Sequence, residues 1–231
     1  MPARRRTNSN SESVDNYLKA ILSLGGTDEH RVTSTALAER LGVAPASITN
    51  MLQKLAAAPA SLVEYERHRG VKLSSAGKRR ALEIVRHHRL IETFLYKILD
   101  YPIEEVHDEA ERLEHFISER FEERIAAKLG HPKIDPHGHS IPTMEGEMPQ
   151  QQSIPLTEIV REGIFIVDSV DDRDARKLRL LEANGIKAGA KLKVKPRTPV
   201  QGYSVSIGRS PKSMNLSREM AGDIRIVPPK K

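Results

Sequence analysis

The stretch from Thr33 to Ser74 constrains the fold more than any other part of the chain. Thr33 to Leu41 reads as a short amphipathic helix with Leu37, Ala38 and Leu41 facing inward, and Gly42-Val43 makes a turn. A second helix is predicted from near Pro45, a residue that suits a first helical turn because its missing N–H is not needed there. Ile48, Met51, Leu52 and Leu55 give that helix inward positions at i, i+3, i+4 and i+7. After Ala58-Pro59 come two strand-like runs, Leu62 to Glu66 and Val71 to Ser74, with Arg67-His68-Arg69-Gly70 at the hairpin tip. A helix, a glycine turn, a second helix and a basic hairpin make the layout of a winged helix-turn-helix. In that fold the second helix enters the major groove and the hairpin straddles a phosphate backbone. The outward side chains of the second helix include Ala46, Ser47, Thr49 and Asn50, small or hydrogen-bonding groups able to approach base edges. Lys54, Arg67, Arg69 and Lys72 can reach phosphates. The alternative for the same pattern is a helical-hairpin domain that binds another protein.

The charge supports a division into modules. Residues 1–80 carry 13 basic and 7 acidic side chains, residues 81–150 carry 8 and 15, and residues 151–231 carry 16 and 9. A basic head, an acidic middle and a basic tail suggest different partners for each. Residues 1–11, with Arg4-Arg5-Arg6, read as a mobile polar arm, and Ser13 is placed to cap a helix from Val14 to Leu24 that Gly25-Gly26 stops. Residues 75–129 read as two or three long helices broken at Tyr101-Pro102, and His131 to Pro155 as a linker rich in Pro, His and Gly. Beyond Leu156 the pattern is β-like: Ile164 to Val167, Lys191 to Lys195, Tyr203 to Ile207 and Asp223 to Val227, with one helix from Ala175 to Ala183 ending at Asn184-Gly185. Short strands in that span predict a small barrel, so the chain is expected to be mainly α with a small β domain. No run approaches the ~18 apolar residues of a membrane span and no apolar signal segment opens the chain, which makes the cytoplasm the expected compartment. Zero cysteines exclude disulfides, thiolate metal sites and a Cys nucleophile.

The acidic middle carries the candidate chemistry. Taken as one helix at about 100° per residue, Val106 to Ile117 puts His107, Glu111, Glu114 and His115 within an arc of about 100°. Val106, Ala110, Leu113 and Ile117 form the adjoining apolar stripe, so the polar face lies at the margin where helices meet. The preceding helix offers His88 and Glu92 one turn apart, a spacing that can chelate one ion. Asp108, Glu109 and Glu104-Glu105 are assigned to solvated surface, and a solvated Glu/His helix face is the alternative, above all for Glu92 or Glu114 taken alone. Imidazole nitrogen with carboxylate oxygen and no sulfur fits a hard six-coordinate ion such as Mn²⁺ or Fe²⁺; Zn²⁺, Co²⁺ or Cd²⁺ would also bind in vitro.

Two motifs converge on one family. Leu37 to Leu55, followed by Tyr65 to Val71 and Leu73-Ser74-Ser75-Ala76-Gly77, resembles the winged helix of the diphtheria-toxin-repressor family. His87-His88-Arg89-Leu90-Ile91-Glu92 and Val106 to His115 resemble its metal-binding and dimerisation helices, and Leu181 to Ala190 is similar to the SH3-like (FeoA-like) barrel of many members. The resemblance implies domains at 1–80, 81–150 and 151–231. It also implies a homodimer on double-stranded operator DNA, with Mn²⁺ or Fe²⁺ as corepressor for metal-uptake genes and neither a membrane nor a small organic substrate as partner. Glu111, Glu114 and His115 then match primary-site ligands, Asn16 stands at the N-terminal-helix ligand position, and His88, Glu92 and His107 match the ancillary site. Iron-sensing members place Cys at the position of Glu111 and Met at that of Asn16, so this chain leans to Mn²⁺, although manganese members usually carry Asp where Asn16 stands. Asp172 and Asp174 are candidate ligands from the barrel. A metal-independent winged-helix regulator and a di-metal carboxylate enzyme of the helical-bundle type are the alternatives.

Overall fold

The first helix, α1 (Ser9–Gly25), begins upstream of the predicted Ser13 cap, and Ser13 lies inside it. The cause is a tertiary clamp: Arg80 donates from Nε to Asp15 at 2.6 Å and from Nη2 to Ser11 at 3.0 Å, holding the first turns in register. The computed structural model describes residues 9–26, 30–196, 202–208 and 213–229, and Arg4-Arg5-Arg6 of the predicted arm lies outside them. The chain divides into two compact units. One holds Met1–His87, Leu113–Ser118 and Pro142–Met148; the other holds His88–Arg112, Glu119–Ile141 and Pro149–Lys231.

In the first unit, α2 (Ser34–Leu41) is capped by the Thr33 side chain accepting from Ala36 N and closes at Gly42, and α3 (Pro45–Ala57) starts on its proline. Strands β1 (Val63–Glu66) and β2 (Gly70–Leu73) pair antiparallel. Val32 adds a bridge to Val71, its N–H donating to Val71 O at 2.7 Å and its carbonyl accepting from Val71 N at 2.9 Å. Gly70 has φ +91, and a Cβ there would sit 2.5 Å from Val32 O, so only glycine lets the wing close on this third segment. Leu18, Ile21, Leu37, Ile48, Leu52 and Val71 form the core. Burying side chains of this size is worth about 1.5–3 kcal/mol each.

Helix α4 (Ser75–Ile98) starts in the first unit and ends in the second. Next come α5 (Val106–Leu113), in the second unit up to Arg112, and α6 (Glu119–Lys128) in the second unit. The single helix expected from Val106 to Ile117 stops at Leu113, and Glu114 and His115 sit on the turn after it. Phe116 N donates to Leu113 O at 3.0 Å, and the Glu114 carbonyl faces His87 Nδ1 at 3.1 Å rather than continuing a helical ladder. The β domain is a six-stranded antiparallel sheet in the order β3-β8-β4-β5-β6-β7. Its strands are β3 (Ile154–Pro155), β4 (Gly163–Val170), β5 (Lys191–Pro196), β6 (Tyr203–Ile207), β7 (Ser213–Leu216) and β8 (Ile224–Val227), with α7 (Ala175–Ala183) and α8 (Arg218–Gly222) between them. Val167, Leu178, Leu192, Val194 and Ile224 fill its core, which takes in Ile103 and Tyr96 from the helical part of the same unit.

Candidate metal centre

His88 and Glu92 stand one turn apart on α4, His107 is on α5 and Asp172 is in the connection from β4 to α7. One donor atom from each of the four lies within 4.8 Å of all the others. His88 Nε2 is 3.0 Å from Glu92 Oε1 and 3.1 Å from His107 Nδ1, and His107 Nδ1 is 3.3 Å from Glu92 Oε1 and 3.6 Å from Asp172 Oδ2. Glu92 is fully buried. Burial pushes its carboxyl up, but the charge of His88 and hydrogen bonds from His107 and His88 prevail and hold it well below the usual range. Asp172 is likewise held well below its ordinary value: burial opposes ionisation, and the His107 hydrogen bond with the His139 and His107 charges overrides it. Burial lowers His107, yet hydrogen bonds to Asp172 and Glu92 and the charges of both push it up to about 10. Glu92 Oε2 and both ring nitrogens of His137 are buried without a hydrogen-bond partner among the described residues. Unpaired buried lone pairs beside imidazole and carboxylate donors fit a divalent cation.

The segment around His137, expected to be part of a linker, is instead a folded loop of the second unit. Asp135 Oδ1 accepts from the N–H groups of His137 and His139, both at 2.9 Å, and the His137 carbonyl accepts from Val170 N at 3.0 Å. Gly138 has φ +96, and a Cβ there would lie 2.0 Å from Asp168 O, so the loop presses its backbone against β4. The loop delivers the His137 ring to within 3.7 Å of Glu92 Oε1, and puts His139 Nδ1 3.6 Å from Asp172 Oδ2 and 3.3 Å from Asp135 Oδ2. Burial lowers His139, and the hydrogen bond and charge of Asp135 raise it above the ordinary histidine value. The signal in the sequence was donors at i, i+2 and i+4 in Asp135-Pro136-His137-Gly138-His139, a strand-like alternation that the intervening Pro136 and Gly138 convert into a side-chain-closed turn. Asp174, by contrast, caps α7, its Oδ1 accepting from Arg176 N and Lys177 N at 3.0 and 3.2 Å.

A second group of donors lies in the first unit. His115 Nε2 is 3.1 Å from Asn16 Oδ1 and 3.3 Å from Glu114 Oε1, while its Nδ1 is 3.5 Å from Asp15 Oδ2. Burial opposes ionisation of Asp15, but hydrogen bonds from His115 and Arg80 lower its carboxyl. Lys19 sits one turn after Asn16 on α1 and pairs with Glu114. Glu111 is exposed on α5, in the second unit.

On the nucleic-acid side, Ala46, Ser47, Asn50 and Lys54 are exposed on α3, whereas Thr49 is half-buried with its hydroxyl donating to Pro45 O at 3.3 Å. Arg67 and Arg69 are exposed at the wing tip, Arg69 beside Glu66 at 3.2 Å. Lys72, expected to reach phosphate, pairs with Glu64 at 3.2 Å across the hairpin. Arg31 braces the wing, donating to the carbonyls of Glu64 and Gly70 at 3.2 Å and pairing with Glu66.

A chain that carries a winged helix-turn-helix and clustered His and carboxylate donors has the parts of a metal-responsive DNA-binding protein. Three family models match it: an iron-dependent repressor N-terminal DNA-binding domain over residues 10–71, an iron-dependent repressor metal-binding and dimerisation domain over 74–143, and a FeoA domain over 154–228. A manganese-dependent transcriptional repressor solved in complex with manganese superposes with a TM-score of 0.85 at 36% identity, covering 93% of this chain and 99% of that one. The HTH-type transcriptional regulator MntR of Oceanobacillus iheyensis is 34% identical over 123 residues, 53% of this chain and 81% of that protein. The iron-dependent repressor IdeR of Mycobacterium tuberculosis is 32% identical over 133 residues, 57% of this chain; the chain matches 56% of that relative's length. The chain belongs to the iron-dependent repressor family. The family is one of metal-dependent DNA-binding repressors, which sets the di-metal enzyme alternative aside.

Proposed function

We propose that this chain is a homodimeric repressor that takes Mn²⁺ as corepressor and silences metal-ion uptake genes from the cytoplasm. The observation that carries the reading is the cysteine-free cluster of His88, Glu92, His107 and Asp172, an all-nitrogen-and-oxygen donor set suited to a hard ion. His137 faces the same cluster and joins it as a further donor. Asn16, Glu114 and His115 hold the second ion. Bound there, Mn²⁺ supplies positive charge and fixed coordination to a helix, α1, that packs in the core of the reading head. Asn16 and His115 thus fix α1, and α1 in turn fixes the helix-turn-helix through Leu18 and Ile21. Moving such an equilibrium from mostly inactive to mostly active takes about 5 kcal/mol of differential affinity, and linkage requires DNA to tighten ion binding by the same factor. Ala46, Ser47, Thr49 and Asn50 read base edges and Lys54, Arg67 and Arg69 hold phosphates, with two recognition helices roughly 34 Å apart in the dimer. Ile98, Leu99 and Ile134 of the second unit are 40, 50 and 52% exposed, apolar surface that a second copy would cover. No helix of the described residues is long and apolar enough to cross a membrane. The three segments 1–80, 81–150 and 151–231 divide the work into DNA binding, metal binding with dimerisation, and the FeoA-like domain.

Fluorescence anisotropy tests the reading. A labelled duplex from upstream of the chain's own gene or a manganese-transporter gene is titrated with chelator-treated protein without metal, with Mn²⁺ and with anaerobic Fe²⁺. Tight binding that requires Mn²⁺ is expected. Equal binding with and without metal would leave a metal-independent winged-helix regulator, and a lower midpoint for Fe²⁺ would reassign the corepressor.

A further inference from the structure

Glu114 is 1% exposed, and a single ammonium takes both its oxygens: Lys19 Nζ lies 2.7 Å from Oε1 and 2.8 Å from Oε2. Lys19 reaches it from α1, three residues after Asn16 and therefore on the same helix face. A carboxylate buried this far needs a positive partner, and here the partner is a side chain. The neighbouring acid is served differently. Asp15 is held by the planar guanidinium of Arg80, Nε at 2.6 Å, which also ties down Ser11. Lys19 instead offers a point charge on a four-carbon stem and is 19% exposed, so water can receive its ammonium once it leaves Glu114. The carboxylate itself stays in place, because the Glu114 carbonyl faces His87 Nδ1 at 3.1 Å and its Oε1 faces His115 Nε2 at 3.3 Å.

We propose that Lys19 is a tethered counter-ion that competes with the metal for the oxygens of Glu114, and so sets the ion concentration at which the primary site fills. The inference rests on the reading of Glu114 and His115 as metal ligands. A divalent ion brings two charges against the one of Lys19 and gathers His115 and Asn16 in the same act, whereas a monovalent ion brings no more charge than the ammonium it must replace. The site therefore responds to divalent ions against a built-in competitor whose local concentration is fixed by the fold. Asn16, an amide at a ligand position, and Lys19, a cation one turn on, act in the same direction: both weaken the pull on a cation and place the switching point at higher ion concentration.

The test is Mn²⁺ binding to the full chain, followed by calorimetry and by the electron-resonance signal of free Mn²⁺, with thermal midpoints recorded in chelator and in Mn²⁺. Lys19→Gln removes the competitor and is expected to tighten one Mn²⁺ site by about tenfold or more, to lower the midpoint in chelator, and to gain more from Mn²⁺ than the wild type. Lys19→Arg keeps a cation with a bidentate grip and is expected to weaken that site several-fold. Unchanged or weaker binding in Lys19→Gln overturns the proposal. Should Lys19→Gln fail to fold, Lys19→Arg decides alone, and wild-type affinity in it overturns the proposal. Glu114→Gln separates the two levels. If it loses one ion per chain while Lys19→Gln binds as the wild type does, only the role of Lys19 falls; if it binds Mn²⁺ as the wild type does, the ligand reading falls and takes the proposal with it.

Discussion

Glu92→Gln gives the sharpest measure of the buried cluster. Glu92 is fully buried, with Oε1 at 3.0 Å from His88 Nε2 and 3.3 Å from His107 Nδ1, and Oε2 unpaired. The substitution keeps the volume and a hydrogen-bonding oxygen but removes the charge. Removing one partner of a buried ion pair outright costs about 3–5 kcal/mol, and Gln preserves part of the contact, so a loss of about 2 kcal/mol in chelator is expected. The larger consequence concerns metal. An ion held only by the folded chain at about 100 times its Kd adds about 2.7 kcal/mol of stability. At about 2–4 °C per kcal/mol for a chain of this size, that is roughly 5–10 °C of thermal midpoint. Glu92→Gln should forfeit one such increment and one ion per chain by equilibrium dialysis, while keeping the increment that depends on Glu114. A variant that binds the wild-type number of ions with the full Mn²⁺-dependent gain in midpoint would refute the claim that Glu92 is a ligand.

Gly138→Ala should destabilise the second unit by about 2–3 kcal/mol in urea denaturation, because a Cβ would meet Asp168 O at 2.0 Å from a backbone with φ +96. It should also cost the same ion that Glu92→Gln costs, through displacement of His137; retained stability would mean that the loop does not bear on the site. Arg67→Ala should weaken binding to specific and non-specific DNA alike and reduce the slope of log affinity against log salt by about 1. An unchanged slope in that variant would remove the wing tip from the phosphate contacts.

The elements most legible in the sequence are those whose ends are decided by neighbouring residues. Asn184-Gly185 ends α7 near Ala183 as the sequence implies, whereas Asp174, a candidate ligand by residue type, is the cap that starts it. The wing was legible for the same reason, with a tip of basic residues and glycine between alternating strands. Strand β7 was not: Ser213–Leu216 alternates polar and apolar, but Met214 and Leu216 are two apolar residues only, too few to establish a period. The start of α1 and the end of α5 escaped because distant residues decide them. Arg80 extends α1 upstream by holding Ser11 and Asp15, while His87 stands against the Glu114 carbonyl beyond the end of α5. The helical wheel that placed Glu114 and His115 with His107 therefore assumed a helix that ends before them. What brings Glu114 and His115 near Asn16 is a turn, and a wheel carries no information about a turn.

Asp171, Asp172 and Asp174 show where reading by residue type stops. They fall within four residues and have the same chemistry, yet each has a different task set by backbone geometry. Asp171 accepts from the Arg173 backbone and side chain and closes its own turn. Asp174 has its oxygen over the first N–H groups of α7, where the helix dipole favours a negative charge. Only Asp172 faces His107 and His139. The preceding strand determines this outcome: β4 slips its register against β8 between Val167 and Ser169, and Val170 N then donates to the His137 carbonyl. That hydrogen bond ties the strand end that presents Asp172 to the loop that presents His137. On the proposed reading, an ion bound at the buried cluster would draw on α4, α5, the loop and the β domain, with Asp172 alone among the three aspartates as the donor from the FeoA-like domain.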